Sequence, residues 1–186
     1  MYIPAILYLA IVASLIWGRF WFFKVSTGAP RLIVLGYDIA VSCQILLTLY
    51  LFFVTPESAW VRIALVTVLY LLSLVIFWWA IMTAKSLDFA FSERVGSIVT
   101  TGPFRIVRHP FYISYILVWL GSSLLFNSPI LWITLFYLMT FYTLSAKKEE
   151  KVILKSVYSK EYEQYIQAVG MFLPRIKKWM PSNSEH

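Results

Sequence analysis

The chain has 186 residues, of which 60% are hydrophobic and only 13% charged, and its mean hydropathy is +0.75. Soluble domains contain about 45–50% apolar and about 25% charged residues, so this composition excludes an ordinary water-soluble domain. The net charge of +7 comes from basic residues that flank apolar runs, which argues against a nucleic-acid-binding protein. The single cysteine, Cys43, excludes an internal disulfide and a cysteine-based metal cluster.

Five apolar runs follow one another along the chain. The second and third approach the ~20 residues that a bilayer of about 30 Å requires. The fourth and fifth are shorter, and the turn signal Asn127-Ser128-Pro129 separates them. The pattern predicts an all-α integral membrane protein with five transmembrane helices, the last two forming a short helical hairpin. The runs are residues 3–17, 32–54, 60–82, 113–126 and 130–146.

The basic residues predict the orientation of these helices. No positive charge precedes the first run, so we expect a retained helix with its N-terminus outside instead of a cleaved signal peptide. Residues 19–31, 83–112 and 147–186 are then cytoplasmic, and they hold all of the 16 basic residues except Arg62. We expect this face to attract anionic lipids, and the lack of a transit-peptide pattern favours a bacterial-type plasma membrane.

The chain divides into two parts on this reading. Residues 1–84 form a three-helix transmembrane part, and residues 85–186 hold a polar loop, the hairpin and an amphipathic helical tail on the cytoplasmic side. The tail is predicted as one helix, or as two with a break near Ser159. Asp38 lies inside the second run, where it is either functional or paired with Lys24 or Arg31.

The stretch TGPFRIVRHPFY, residues 101–112, concentrates polar and turn-forming residues between apolar runs. Gly102 permits a close approach of the backbone to a ligand. Arg105 and Arg108 can hold a carboxylate or a phosphate, although Arg105 also fits an ordinary interfacial charge. His109 precedes Pro110, which can begin the next helix, and a histidine at such a position suits an anionic group.

Glu149 and Glu150 are adjacent acids directly after the fifth run. They can bind a cationic group of a ligand, or they can pair with neighbouring lysines along the helix. Spacing alone does not decide between these two interpretations.

Taken in order, GPFRIVRHPFY, the NSP turn, EEKVIL, KEYEQY and FLPRI resemble the isoprenylcysteine carboxyl methyltransferase family. That family belongs with the phospholipid methyltransferases to a superfamily of integral membrane methyltransferases. The resemblance spans residues 96–176, and the first three runs match only in hydropathy.

This resemblance implies an enzyme that transfers a methyl group from S-adenosyl-L-methionine to a lipophilic acceptor entering from the bilayer, most simply the carboxylate of an isoprenylcysteine lipid. It implies catalytic roles for Arg108 and Glu150, substrate contacts from Lys147 and Arg175, and no metal. The implied cofactor-binding residues are Ile98, Val99, Gly102, Phe104, His109, Pro110, Tyr112 and Glu150.

One departure from the family keeps other acceptors open. Many members have an arginine four residues before the second glutamate, where this chain has Ala146. A phospholipid or another small molecule is therefore an alternative acceptor. An NADPH oxidoreductase similar to membrane sterol reductases is a further alternative, although those proteins are larger. A non-enzymatic membrane protein would leave His109 and the two glutamates unexplained.

Overall fold

The computed structural model describes residues 2–22, 31–55, 59–84 and 98–175, and the regular elements in these ranges are helices. An isolated backbone bridge joins Val107 to Gly170, which is too short to count as a strand. The predicted all-α class is confirmed for this part of the chain. The helices are α1 (Tyr2–Trp17), α2 (Arg31–Val54), α3 (Trp60–Thr83), α4 (Pro110–Phe126), α5 (Pro129–Ile153) and α6 (Ser159–Ala168).

Four helices of the described ranges are long and apolar enough to cross a membrane, namely α2, α3, α5 and α1 with the π-helical turn that continues it to Phe22. Helix α4 is apolar but has 17 residues, which at 1.5 Å per residue is about 26 Å, against a hydrocarbon core of ~30 Å. Four of the five predicted spans therefore have the required length, and a crossing by α4 stays a prediction.

The helices form a bundle in which α3 packs against both α1 and α4, and α2 packs against α5. Because α3 and α4 share one core, the parts 1–84 and 85–186 are joined by packing, and a division of function between them stays a prediction. The largest fully buried side chains of this core include Trp119, Tyr8, Tyr70, Tyr142, Leu125, Leu131, Leu135 and Leu138.

Hydrogen bonds between buried side chains and neighbouring helices hold this bundle together. The Nε2 atom of Gln44 on α2 donates to the carbonyl of Leu131 on α5, at 2.8 Å. The hydroxyl of Tyr70 on α3 lies 2.9 Å from the hydroxyl of Ser122 on α4. Such bonds contribute about 1 kcal/mol each between helices in a membrane, and they fix which helix faces which.

The turn between α4 and α5 has the conformation that its residues predict. Asn127 adopts the left-handed conformation, with φ of 49°, and its backbone N–H donates to the carbonyl of Ser123. Pro129 occupies the first turn of α5, where its missing N–H costs nothing. The tight turn makes α4 and α5 antiparallel, so the start of α4 and the end of α5 lie side by side.

Helix α5 is longer than the predicted span. It continues past residue 146 to Ile153, so Glu149 and Glu150 are helical residues in its last turns. A short irregular stretch follows, and α6 begins at Ser159, which confirms the alternative of a break there. Apolar side chains on both sides of the break form a second, smaller hydrophobic cluster, comprising Ile153, Tyr162, Tyr165 and Val169.

Asp38 has a partner in the preceding helical segment. Its carboxylate oxygen Oδ1 lies 4.0 Å from the Nη2 atom of Arg19, and both side chains are about half exposed. Lys24 lies outside the described residues. An exposed pair of this kind contributes little to stability and satisfies the charge of an acid near the end of a span.

Two helical glycines provide a test of the packing. A Cβ atom at Gly121 would lie 2.6 Å from Cε1 of the fully buried ring of Tyr70, whereas one at Gly36 would meet the hydroxyl of the partly exposed Tyr137 at 2.5 Å. We predict that Gly121→Ala lowers the free energy of unfolding by about 1–3 kcal/mol because the Tyr70 ring cannot move aside.

The Gly36→Ala variant is the matched control, measured by thermal unfolding in the same detergent. Tyr137 can rotate away, and alanine gains about 1 kcal/mol of helix propensity over glycine, so we expect stability close to that of the wild type. A Gly121→Ala variant as stable as Gly36→Ala would show that the contact between α3 and α4 is looser than described.

Candidate functional site

The motif at residues 101–112 begins with a tight turn against the end of α3. A 3₁₀ turn spans Gly102–Arg105, and Gly102 has a φ of 57°, which favours glycine. A Cβ atom there would lie 2.3 Å from the Oγ1 atom of Thr83. The close approach that this glycine permits is therefore to α3, and a contact of its backbone with a ligand stays a prediction.

Phe104 anchors the same turn. Its ring is buried in a small apolar cluster with Ala80 of α3 and Ala84 directly after that helix, and it lies edge-on to the ring of Phe111. The hydroxyl of Tyr165 on α6 donates to the carbonyl of Phe104. The turn is thus held from both sides, by α3 and by α6.

Backbone hydrogen bonds join the middle of the motif to the segment after α6. The N–H of Arg108 donates to the carbonyl of Gly170 at 2.9 Å, and the N–H of His109 donates to that of Met171 at 3.2 Å. Sequence reasoning did not find this pairing, because a single bridge between distant segments leaves no periodic pattern. It places residues 169–172, called here the tail segment, alongside the motif.

A buried ion pair connects the motif to α5. The Nε atom of Arg108 donates to Oε1 of Glu150 at 2.8 Å, and only 6% and 11% of these two side chains are exposed. The Nη1 atom of Arg108 donates to the carbonyls of Val169 and Ile166. One guanidinium thereby links the motif, the end of α5, and the end of α6.

His109 lies directly before α4 and contacts both glutamates. Its Nε2 atom lies 3.0 Å from Oε1 of Glu150, and its Nδ1 atom lies 3.5 Å from Oε2 of Glu149. Its ring is stacked on that of Tyr112, with centroids 5.6 Å apart. Because a carboxylate faces each ring nitrogen, the doubly protonated imidazolium fits this geometry best.

The charge state of His109 follows from two opposed effects. Burial disfavours the charged form and by itself would lower the pKa of His109. The hydrogen bonds and negative charges of Glu149 and Glu150 outweigh it, so the pKa of His109 is raised above its usual value. The site therefore combines two cations, Arg108 and His109, with two carboxylates.

Glu149 and Glu150 have different surroundings, although they are adjacent. Successive helical residues point about 100° apart, so the two side chains leave α5 in different directions. Glu150 is held by Arg108 and His109, whereas Oε1 of Glu149 accepts a hydrogen bond from the hydroxyl of Tyr112. Sequence spacing left open whether these acids bind a ligand or pair with lysines; in the structure their contacts are with the motif.

A series of aromatic rings continues from this site into the bundle. The ring of Tyr112 stacks on that of Tyr142 with centroids 5.2 Å apart, and Tyr115 lies beside both. The indole Nε1 of Trp119 donates to the hydroxyl of Tyr142 at 3.1 Å. The polar cluster is therefore bordered on one side by an aromatic wall.

The other residues that the sequence predicted for the site have their own surroundings. Ile98 packs on the apolar cluster around Tyr162, and Val99 packs on that around Phe104. Lys147 is exposed, and the Nη1 atom of Arg175 donates to the carbonyl of Gln167 at 2.6 Å. The structure brings together Arg108, His109, Tyr112 and Glu150, with Pro110 opening α4 beside them; the roles of all these residues stay predictions.

In the part of the chain that the structure describes, no group of three or more His, Cys, Asp or Glu side chains has an arrangement that can hold a metal ion. The polar cluster itself offers one histidine and two carboxylates, and it satisfies them with an arginine and a tyrosine instead.

These features define a class: an α-helical membrane protein with a buried, charged site where a helical hairpin meets a short tail. A model of the phospholipid methyltransferase family matches residues 58–161, more than half of the chain, and the chain belongs to that family. No curated protein matches the chain. The matched region includes α3, α4, α5 and the charged site.

Family membership confirms the resemblance to integral membrane methyltransferases that the motifs predicted. It also makes the chain a multi-pass membrane protein of a methyltransferase family, consistent with its long apolar helices. The match is to the phospholipid branch of the superfamily, and the isoprenylcysteine acceptor expected from the sequence is not supported by it.

The buried ion pair leads to a prediction about stability. Replacing Arg108 by methionine removes one partner and leaves Glu150 and two carbonyls short of a donor, so we expect a loss of about 3–5 kcal/mol in the free energy of unfolding. The double variant Arg108→Met with Glu150→Gln should lose less free energy of unfolding than the two single variants lose together. The reason is that neither member of the ion pair is then left as an uncompensated charge.

Arg105→Met is the control for this double-mutant cycle, since Arg105 belongs to the same motif as Arg108 but is exposed. It should change the stability by no more than about 0.5 kcal/mol in the same denaturation assay. A loss at Arg105 as large as that at Arg108 would contradict the assignment.

The raised pKa of His109 predicts a pH dependence of stability. A group whose pKa is raised by folding stabilises the protein fully below its unfolded pKa, near ~6.5, and loses this contribution as pH rises through the folded value. The wild type should therefore exceed His109→Gln in melting temperature most at acidic pH, and the difference should shrink towards alkaline pH. A difference that is constant over roughly pH 5 to 9 would refute the imidazolium.

Proposed function

We propose that this protein transfers methyl groups from S-adenosyl-L-methionine to a phospholipid head group at the membrane surface. The observation that carries this proposal is the charged cluster of Arg108, His109 and Glu150, which lies inside the region matched by the phospholipid methyltransferase family. The expected cofactor motif and the expected acidic pair, 42 residues apart in sequence at Arg108 and Glu150, are in direct contact.

The side chains of this cluster fit the charges of the proposed methyl donor. When bound, S-adenosyl-L-methionine supplies an electrophilic methyl group on a sulfonium. A carboxylate such as Glu150 can accept hydrogen bonds from an ammonium or ribose hydroxyls, and both described bonds to it fall on Oε1, which leaves Oε2 for a ligand. The positive charge of the His109 imidazolium can attract the donor's carboxylate, while its two N–H groups face Glu149 and Glu150.

Within this set the residues have different proposed roles. Glu150 and His109 contact the cofactor, whereas Arg108 is a positioning residue that orients Glu150 through the ion pair at 2.8 Å. The ring of Tyr112 provides an aromatic face beside them. The turn and the residues on either side of it complete the proposed cofactor-binding residues. These are Ile98, Val99, Gly102, Phe104 and Pro110.

The acceptor is proposed to be an amine of a phospholipid. Among the nucleophiles of phospholipid head groups, a deprotonated amine attacks carbon most readily. The resemblance to the isoprenylcysteine enzymes associates a carboxylate acceptor with an arginine four residues before the second glutamate. Here that position is Ala146, which is fully buried and carries no charge, and the cations beside Glu150 are engaged by it. Lys147 is exposed beside it, and together with Arg175 it is proposed to contact the acceptor's phosphate.

The proposed orientation places this site in the cytoplasm. With five crossings and the N-terminus outside, the end of α5 and the start of α4 face the cytosol, and so do most basic residues. Anionic lipids are the proposed partners of that basic face, and a bacterial-type plasma membrane is the proposed location.

Isothermal titration calorimetry with the detergent-solubilised protein tests the cofactor site. We expect the wild type to bind S-adenosyl-L-methionine, and Glu150→Gln to weaken binding by about tenfold or more, since a charge-assisted hydrogen bond contributes about 1.5–3 kcal/mol. Glu161→Gln, an exposed change of the same kind on α6, should bind like the wild type. A wild type that binds no methyl donor would disprove the proposal.

Transfer of a labelled methyl group then identifies the acceptor. The purified protein is supplied in parallel with vesicles containing phosphatidylethanolamine and with a prenylcysteine analogue. We expect the label in the lipid amine. Label in a base-labile ester of the analogue instead would restore the isoprenylcysteine interpretation.

A further inference from the structure

The contacts of Glu149 separate it from Glu150. Glu150 is enclosed by Arg108 and His109, with 11% of its side chain exposed, whereas 21% of the Glu149 side chain is exposed. Among the residues that the structure describes, the cation within ion-pair distance of Glu149 is His109, at 3.5 Å, and the Arg108 guanidinium is bonded to Glu150. Glu149 is therefore the more accessible and less fully paired carboxylate of the two.

The surroundings of Glu149 suit an organic ammonium. The hydroxyl of Tyr112 donates to Glu149, and behind it the rings of Tyr142 and Tyr115 extend into the bundle. A carboxylate next to aromatic rings attracts an ammonium through both charge and cation–π contact. The rings also keep attracting a methylated amine, which has lost N–H donors but is still a cation.

Amine methylation requires a proton acceptor. An alkylammonium, like that of lysine, has a pKa near ~10, so at neutral pH its nitrogen has no free electron pair. Of the four charged side chains at the site, Arg108 and His109 are cations, and Glu150 is engaged by both. Glu149 is the remaining group that can receive the proton.

We infer that Glu149 is the catalytic residue that deprotonates the lipid amine, with Tyr112 holding its carboxylate in place. An N–H bond of the ammonium breaks and its proton passes to the Glu149 carboxylate. The freed electron pair forms the new N–C bond, and the C–S bond of the sulfonium donor breaks with its electron pair remaining on sulfur. This inference rests on the proposed function, and it assigns to Glu149 a role separate from that of Glu150.

The pH dependence of methyl transfer distinguishes this role from a structural one. We expect Glu149→Gln to lower kcat with phosphatidylethanolamine vesicles by about 10²–10⁴-fold at neutral pH, the range of general-base catalysis. Its rate should then rise about tenfold per pH unit as the free amine forms, whereas the wild-type rate changes little over the same range. A merely structural loss would lower the rate equally at every pH.

Other titratable groups surround Glu149 and have to be accounted for. His109 is the neighbour whose ordinary pKa lies closest to neutral pH, so a His109→Gln profile is recorded in parallel. Several titratable or charged groups face Glu149 or its neighbours. They are His109 and Arg108 from the motif, Tyr112 and Tyr115 from α4, Tyr162 from α6, Tyr37 from α2, and Glu150 on α5.

Two further measurements complete the test. Glu149→Gln should bind S-adenosyl-L-methionine within about threefold of the wild type by calorimetry, unlike Glu150→Gln. Glu149→Ala should regain activity when formate is added, because a small carboxylate can occupy the space. Glu161→Gln, with an exposed side chain on α6, is the matched control and should retain the wild-type pH profile.

The outcomes separate the two proposals. A Glu149→Gln variant with the wild-type rate and pH profile would overturn the role of Glu149 while leaving the methyltransferase intact. A variant whose rate falls by the same factor at every pH and is not rescued by formate would likewise overturn the role of Glu149 and leave the methyltransferase intact. A wild type that methylates no amine would overturn the proposed function, and this inference with it.

Discussion

The architecture of the charged end of this protein depends on one buried ion pair. Arg108 and Glu150 lie 42 residues apart in the chain and meet at 2.8 Å, with little of either side chain exposed. Neither charge is stable there alone, because taking an ion out of water costs several kcal/mol unless a partner repays it. The pair is formed only when the hairpin of α4 and α5 is closed, so the stability of the site and the geometry of the hairpin are coupled.

The rest of the site is attached to this pair. The carbonyls at the end of α6 accept hydrogen bonds from the same guanidinium, and the tail segment follows the backbone of the motif through two N–H donors. His109 shares Oε1 of Glu150 and turns its other nitrogen to Glu149. Three chain segments that are distant in sequence are thus brought to one point by a network in which each charge is compensated.

The proposed methyltransferase activity requires a soluble, charged methyl donor to bind next to a lipid. The structure offers a polar cluster at the end of the hairpin and an aromatic wall that runs from it into the apolar bundle. Glu149 and Glu150 are adjacent, but helical geometry points their carboxylates in different directions. They therefore lie on different sides of the boundary between the polar cluster and the aromatic wall. We propose that Glu150 serves the cofactor and Glu149 the acceptor. The division explains why both acids are held in a segment that is otherwise rich in lysine.

Much of the fold was predictable from local pattern. Hydropathy predicted α2 and α3 within a residue or two, because a span needs a minimum length of apolar sequence, and Asn127 and Pro129 marked the hairpin turn through their own backbone preferences. The end of α5 was not predictable from hydropathy, since its last turns are polar and are stabilised by contacts with the motif.

The sequence by itself also indicated the superfamily of integral membrane methyltransferases, through the order and spacing of the motif around His109 and the acidic pair, and the family match confirms this. Only the tertiary structure decided what each polar residue touches. Spacing left the partners of Glu149 and Glu150 open, and it did not reveal that Gly102 packs closely against Thr83 of α3. The pairing of Arg108 with Glu150 and of the motif with the tail segment arises from long-range packing, and such contacts have no periodicity along the chain from which they can be inferred.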